Sequence, residues 1–252
     1  MFFAGPGEYA PCGMFTPGHL KLVIVIVICI IIALKFTINK SKEEVSKIIK
    51  FATVIIWCLE IIKIGFTLKY KDIKDVNTYV PLYYCSLLLY AGLLSSFGKG
   101  KYKRAGDVFI ATGGIIGGIT FLLCPSTTLP YYPMLHFVSL HSFVYHGIMI
   151  YLGLLVNLIN YVELKKDDIK YYASLVGILC GLAYIINKIF DSNLMFISQE
   201  STIGVIKIMY RITGPFFSLI MSIGQMTIPF YLIYGILRKK RKEEIYINDI
   251  NK

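Results

Sequence analysis

The chain has few charged residues for its length, and it lacks the motifs of several common enzyme classes. Only 16% of its 252 residues are Asp, Glu, Lys or Arg, whereas 56% are hydrophobic and the mean hydropathy is +0.65. The absence of G-x-S-x-G, H-E-x-x-H and a Gly-rich phosphate loop argues against α/β-hydrolases, zincins and P-loop proteins. Residues 1 to 17 hold no Lys or Arg and no long apolar run, so no cleaved signal peptide is predicted.

The cysteines and histidines also lack the spacing of a metal site. The six cysteines form no C-x-x-C pair, and His136, His141 and His146 are spaced by five residues, which scatters them around a helix. We therefore predict neither a metal ion nor another cofactor. A disulfide between Cys12 and Cys124 is left open, because both residues are predicted to lie outside the membrane on the same side.

Long apolar runs are what the sequence has in abundance. Runs of about twenty residues are long enough to cross hydrocarbon, and polar or Gly/Pro residues separate them. We predict an all-α polytopic membrane protein with one seven-helix domain over residues 1–242 and a short cytoplasmic tail over residues 243–252. The predicted spans are 19–38, 46–68, 79–97, 106–124, 134–161, 170–190 and 213–237.

The net charge of +11 indicates how the chain is oriented in the membrane and does not indicate nucleic acid binding. Most of the 26 lysine and arginine residues fall in alternate loops and after the last span, on one predicted side of the membrane. Positively charged loops stay cytoplasmic, so we predict an outside N-terminus, a cytoplasmic C-terminus and a location in the cell membrane. The predicted partners are membrane phospholipids, with no nucleic acid.

Glycine pairs predict which helices pack closely. Gly113 with Gly117 and Gly114 with Gly118 give the fourth span two overlapping small-x-x-x-small motifs, and Gly177 with Gly181 gives the sixth span another. Such pairs allow helix backbones to approach each other, so we expect both spans to pack centrally.

Polar residues within the spans gather at one depth. Counting 1.5 Å per residue places Cys85 about 9 Å below the outer surface and His146 about 7 Å below it. Intramembrane polar groups usually face a bundle interior or a wet cavity, so this grouping predicts a cavity that opens outward. The other residues predicted near this depth or at the outer edge are Glu60, Lys63, Asn187, Gln225, His141 and His19.

Cys85 and His146 form the candidate catalytic pair. A thiol in an apolar setting reacts poorly unless a base takes its proton, and a histidine can take that proton and return it to a leaving group. Gly147 leaves room beside His146, whereas His141 points elsewhere around the same helix. Donors to a developing oxyanion are expected among Tyr83, Tyr84, Ser86 and Gln225. Other readings stay open, since buried cysteines and hydrogen-bonded histidines are common in cores.

Several short motifs resemble a known family. Phe15-x-Pro17-x-His19, Pro81-Leu82-x-x-Cys85-Ser86-Leu87, Pro125 and His146-Gly147 are similar to the YwaF family of bacterial integral membrane proteins, which is related to a eukaryotic acyltransferase, transmembrane protein 164. The resemblance implies that Cys85 accepts an acyl chain, that His146 is the base and that His19 lines the entrance. The chain departs from the family at Tyr83, where a histidine is common.

These observations give three hypotheses of different classes. The first is a membrane-embedded phospholipid acyltransferase or acyl hydrolase that uses Cys85 and His146. The second is a transporter or permease for a small solute, which rests on the polar cluster and on Pro229 as a possible helix break. The third is a non-catalytic membrane scaffold or receptor, because seven spans alone specify no function.

Overall fold

The computed structural model describes residues 1–5, 7–70, 73–201 and 203–250, with side chains through residue 240. These residues form helices and contain no β-strand, which confirms the predicted all-α class. The described chain has nine α-helices: α1 Pro17–Thr37, α2 Lys42–Tyr70, α3 Leu87–Phe97, α4 Gly100–Phe109, α5 Ile115–Leu123, α6 Phe137–Leu158, α7 Ile169–Phe190, α8 Gly204–Thr213 and α9 Phe217–Ile250.

The sequence explains where α1 begins and which face it buries. The Thr16 side chain accepts a hydrogen bond from the His19 amide, and Pro17 occupies the first turn, where no backbone donor is needed. Its buried side chains, at positions 19, 22, 26 and 30, follow a helical spacing along one stripe. Apart from the half-buried Val23, the remaining Val and Ile side chains are exposed, as expected for a helix that faces lipid.

The third helix is much shorter than predicted. It begins at Leu87 rather than residue 79, because Pro81 cannot donate a backbone hydrogen bond and disfavours helical geometry at the residue before it. Its 11 residues rise only about 16 Å, against a hydrocarbon thickness of about 30 Å. Six helical segments in the described chain are long and apolar enough to cross a membrane, and α3 adds a shorter apolar one.

Helices α4 and α5 make one crossing that contains a π-helical turn. The turn, Ile110–Gly114, is completely buried. A Cβ atom at Gly118 would lie 2.5 Å from Ile150 and 2.9 Å from the His146 carbonyl oxygen, so glycine is required where α5 meets α6. Close packing at this predicted glycine motif is confirmed. In α7, a Cβ at Gly177 would contact Met226, but one at Gly181 would meet open space, so the prediction for Gly181 is wrong.

The seventh predicted span, 213–237, falls almost entirely on α9, and the short helix α8 before it was not predicted. Gly214, at φ 51° and ψ −124°, separates α8 from α9, a conformation that favours glycine. No residue of α8 is buried. Helix α9 continues to Ile250, so most of the predicted tail is helical, and residues 251–252 lie outside the described part.

The N-terminal segment, residues 1–5 and 7–13, lies across one end of the bundle. The Phe137 amide donates to the Phe2 carbonyl at 2.8 Å, and His136 Nε2 donates to the Ala4 carbonyl at 3.0 Å. The Cys12 amide donates to the carbonyl of Tyr132 at 3.0 Å. All six cysteines are free, so the open possibility of a Cys12–Cys124 disulfide is not realised.

Ion pairs hold the opposite end of the bundle. Lys103 Nζ lies 3.0 Å from both carboxylate oxygens of Asp107 and donates to the Tyr161 hydroxyl at 2.9 Å. Arg104 Nε donates to Asp168 at 2.9 Å and ties α4 to the start of α7. At this end, polar contacts therefore join α4 to Tyr161 and to the start of α7, while loops cover the other end.

Candidate functional site

A cavity of about 920 Å³ lies at the end of the bundle covered by the N-terminal segment. The segments that line it are parts of residues 7–11, 77–86, 120–132 and 196–203, together with side chains of α2 and α6. The cavity brings together eight residues predicted for the site: Glu60, Lys63, Tyr83, Tyr84, Cys85, Ser86, His141 and His146.

Cys85 lies in the turn that leads into α3, not inside a helix. Irregular backbone at membrane depth is tolerated where protein surrounds it or where it lines a cavity, and residues 83–86 do line the cavity. The thiol donates to the Gly117 carbonyl, with 3.7 Å between sulfur and oxygen. Ser86 is the N-cap of α3, so Cys85 lies immediately before the cap of that helix.

His146 is held in one orientation by two contacts. Its Nδ1 lies 2.6 Å from the Ser142 carbonyl oxygen, which can only accept, so Nδ1 carries the proton. The ring also stacks on Phe121, with 3.7 Å between ring centroids and 8° between planes. In the neutral ring Nε2 then has a lone pair, and this buried atom has no hydrogen-bond partner among the described residues. His146 is thus arranged as a proton acceptor.

Three charged or titratable side chains form a second cluster in the cavity. Lys63 Nζ donates to Glu60 Oε1 at 2.5 Å, one turn away on α2. His141 Nε2 lies 3.7 Å from Glu60 Oε2, and both ring nitrogens of His141 are buried without a hydrogen-bond partner in the described chain. Only 2% of Glu60 is exposed, so the carboxylate depends on these neighbours.

The hydroxyl groups near Cys85 have different partners. Tyr84 and Tyr172 share a hydrogen bond of 2.6 Å, so the Tyr84 hydroxyl joins the turn before α3 to α7. The Tyr83 hydroxyl donates to Asn77 Oδ1 at 3.5 Å, at the edge of hydrogen-bond range. The Ser86 side chain makes no capping bond. The hydroxyl groups of Ser86 and Tyr83 can therefore donate to a ligand more readily than that of Tyr84, which is already held by Tyr172.

Three residues predicted for the cavity are absent from its lining and hold the backbone instead. His19 accepts from the Phe15 amide at 3.1 Å through Nδ1 and donates to the Leu122 carbonyl at 2.8 Å through Nε2. Asn187 and Gln225 bind the backbone of the loop after α7, at Leu194 and Met195. These two support the loop that supplies Phe196 and Ser201 to the cavity.

Sequence reasoning missed the lining residues that come from loops. Asn77, Ser126, Thr127 and Thr128 have polar side chains at the cavity, but their positions depend on loop folding. Phe121 could have been found more easily, since it lies near the predicted end of a span. Within the described residues, no group of three or more His, Cys, Asp or Glu could hold a metal ion.

The helices and the cavity define a multi-pass helical membrane protein with a polar chamber at one end of its bundle. The TMEM164 family model matches residues 14–234, and the chain therefore belongs to the TMEM164 family. The match covers all of the helices from α1 to α8, and it supports the predicted location in a membrane. No curated protein and no solved structure matches the chain significantly.

Proposed function

We propose that the protein transfers acyl chains from membrane phospholipids, with Cys85 as nucleophile and His146 as base. The observation that carries the proposal is the tautomer of His146, whose Nε2 lone pair is left unpartnered in the cavity that Cys85 also lines. Membership of the TMEM164 family is consistent with it, because the sequence resemblance implies an acyltransferase. Whether the acceptor is a second lipid or water decides between an acyltransferase and an acyl hydrolase.

The proposed first step forms a thioester. The Cys85 proton moves to His146 Nε2, and the sulfur attacks the ester carbonyl carbon of the phospholipid. The carbon–oxygen ester bond then breaks, and the leaving lysophospholipid alkoxide takes the proton from His146. For this reaction, the thiol must leave the Gly117 carbonyl and turn toward the imidazole. Ser86 and Tyr83 are the proposed donors to the oxyanion.

The shape of the cavity supports chemistry at one face of the membrane. Its volume of about 920 Å³ is near the upper end of the usual range for ligand sites, about 300 to 1,000 Å³. The lining residues belong to one end of the bundle, whereas at the other end the Arg104–Asp168 ion pair joins α4 to the start of α7. A chamber confined to one end of the bundle fits a reaction site better than a transport path. The transporter hypothesis would be favoured by proton-coupled uptake that depends on Glu60.

We expect an acyl-thioester to form at Cys85. Purified protein in nanodiscs, supplied with a phospholipid of defined acyl chains, should gain the mass of one acyl group, and neutral hydroxylamine should remove it. Peptide mapping by mass spectrometry should place the group on Cys85. The control is Cys58→Ala, which removes an exposed cysteine from α2 and should leave the adduct intact. Continued turnover without any adduct in rapid-quench samples would argue against the thioester.

We also propose that the cavity opens to the outer leaflet, because the basic loops predict a cytoplasmic end opposite to it. A reporter that is active only in the cytoplasm should work when fused after residue 252. The same reporter inserted in the loop between α5 and α6, at Ser126, should be inactive. The reverse pattern would place the cavity at the cytoplasmic leaflet.

A further inference from the structure

The cluster of Glu60, Lys63 and His141 has no part in the formation of a thioester by Cys85 and His146. A buried histidine normally has a hydrogen-bond partner, because an unsatisfied buried nitrogen destabilises the fold. Both ring nitrogens of His141 lack one among the described residues, although only 6% of the residue is exposed. The residue also borders the cavity, so a ligand in the cavity is a natural partner.

The cluster provides the groups that a hydroxyl ligand needs. A hydroxyl both donates and accepts a hydrogen bond, and an imidazole nitrogen can accept while a lysine ammonium can donate. Glu60 lies between the two, bonded to Lys63 at 2.5 Å and 3.7 Å from His141 Nε2. A proton on Nε2, facing the carboxylate, leaves the lone pair on Nδ1. Glu60 would then stabilise the ring when it becomes a cation.

A short path of contacts joins this cluster to Cys85. The rings of His141 and Tyr145 are nearly parallel, with 6.1 Å between their centroids. The Tyr145 hydroxyl donates to the Cys85 backbone carbonyl at 3.2 Å. The cluster is therefore in the same chamber as the proposed thioester, but two of its three residues come from α2 and it has its own base.

We propose that Glu60, Lys63 and His141 form the acceptor subsite, which binds the hydroxyl that receives the acyl chain and removes its proton. The proposal rests on the proposed function and deepens it. The ligand is a hydroxyl compound, either the free glycerol hydroxyl of a lysophospholipid or water. His141 is a catalytic residue in this second step, Lys63 binds the hydroxyl oxygen, and Glu60 is a positioning residue that acts through His141.

The second step transfers the acyl chain from Cys85 to the acceptor hydroxyl. The acceptor O–H bond breaks, its proton moves to His141, and the oxygen attacks the thioester carbonyl carbon at Cys85. The carbon–sulfur bond then breaks and the electron pair leaves on sulfur. The thiolate takes the proton back from His141, so neutral histidine and the Cys85 thiol are regenerated. No oxidant, reductant or metal is needed.

The experiment separates acylation from release. A protein with Cys85 as its only cysteine is reconstituted in nanodiscs with a phospholipid carrying a radiolabelled acyl chain. Thioester and products are then followed by rapid quench, with lysophosphatidylcholine added or omitted. In His141→Gln and Glu60→Gln, we expect the thioester to form within threefold of the normal rate and release to slow by at least about 100-fold. In His146→Gln, the thioester itself should be lost.

The two acceptor sources give different results. If the subsite takes a lipid hydroxyl, His141→Gln should lose the newly acylated lipid while slow release of free fatty acid persists. If it takes water, release of fatty acid should fall as well. Lys63→Gln should raise the acceptor concentration needed for half-maximal release. Its matched control is Lys188→Gln, an exposed lysine of α7 outside the cavity lining, which should change neither step.

Three results would overturn the proposal. A parallel loss of thioester and turnover in His141→Gln and Glu60→Gln, with the variants monodisperse and as heat-stable as the parent, would mean that the cluster acts before release or is structural. Unchanged release in both variants would mean that it has no catalytic part. The absence of a thioester in the parent protein itself overturns the proposed function, and the acceptor subsite with it. His141→Asn provides a second variant with a smaller polar side chain if His141→Gln is unstable.

Discussion

Replacement of Cys85 by alanine is expected to slow acyl transfer by at least about 1,000-fold, because the proposed reaction has no other route to the thioester. His146→Gln should have an effect of about 100-fold to 10,000-fold, the usual contribution of a general base. The variant with both changes should be no slower than Cys85→Ala alone, since residues that act as a unit lose their contribution together.

The measurement is the rate at which labelled acyl chains appear in new lipids or as free fatty acid in nanodiscs. Cys58→Ala is the matched control, because it removes an exposed thiol on α2 and should retain the normal rate. A folded Cys85→Ala protein with full activity would contradict the proposal. Folding is checked by size-exclusion chromatography and thermal unfolding of each variant.

Replacement of Gly106 by valine is expected to destabilise the bundle by at least about 3 kcal/mol, at the upper end of overpacking effects. A Cβ atom at this position would lie 2.5 Å from the Ser95 backbone nitrogen and also overlap the Ala91 carbonyl oxygen. Both atoms belong to the backbone of α3, so rotation of a side chain cannot relieve the overlap. Helix α3 must move away from α4, and Cys85 precedes α3 directly.

Thermal unfolding in detergent and acyl transfer are the two measurements for this variant, and both should fall. Gly181→Val is the matched control, since a Cβ there meets nothing within 4 Å. Its stability should stay within about 0.5 kcal/mol of the parent, as for most exposed substitutions. Equal stability of the two valine variants would contradict the close contact between α3 and α4.

The sequence was sufficient to predict the helical class and most of the spans. Apolar runs identify membrane helices. The counted depth put Cys85, His146, Glu60 and His141 at a similar level, and all four line the same cavity. The late start of α3, at Leu87 rather than residue 79, was missed although Pro81 indicates it. Hydropathy depends on the side chains and carries no information on backbone geometry. Helix α8 was missed because its 10 residues are too few to form a long apolar run.

The same depth argument placed His19, Asn187 and Gln225 in the cavity, where the structure does not place them. Depth alone does not distinguish a polar side chain that is available to a ligand from one that is already hydrogen-bonded to a backbone group. The partners of these three side chains are backbone groups distant in sequence or in a loop. Only the folded chain brings those groups together.

The stack of His146 on Phe121 and its bond to Ser142 have a consequence for the entropy of the reaction. A free imidazole samples several ring orientations and two neutral tautomers, and selecting one of them at each turnover would add to the barrier. Here that selection is made during folding, so the cost is borne by the stability of the protein and not by every catalytic cycle. Loss of the aromatic ring at position 121 would return this cost to the reaction, without any change to the atoms that exchange protons.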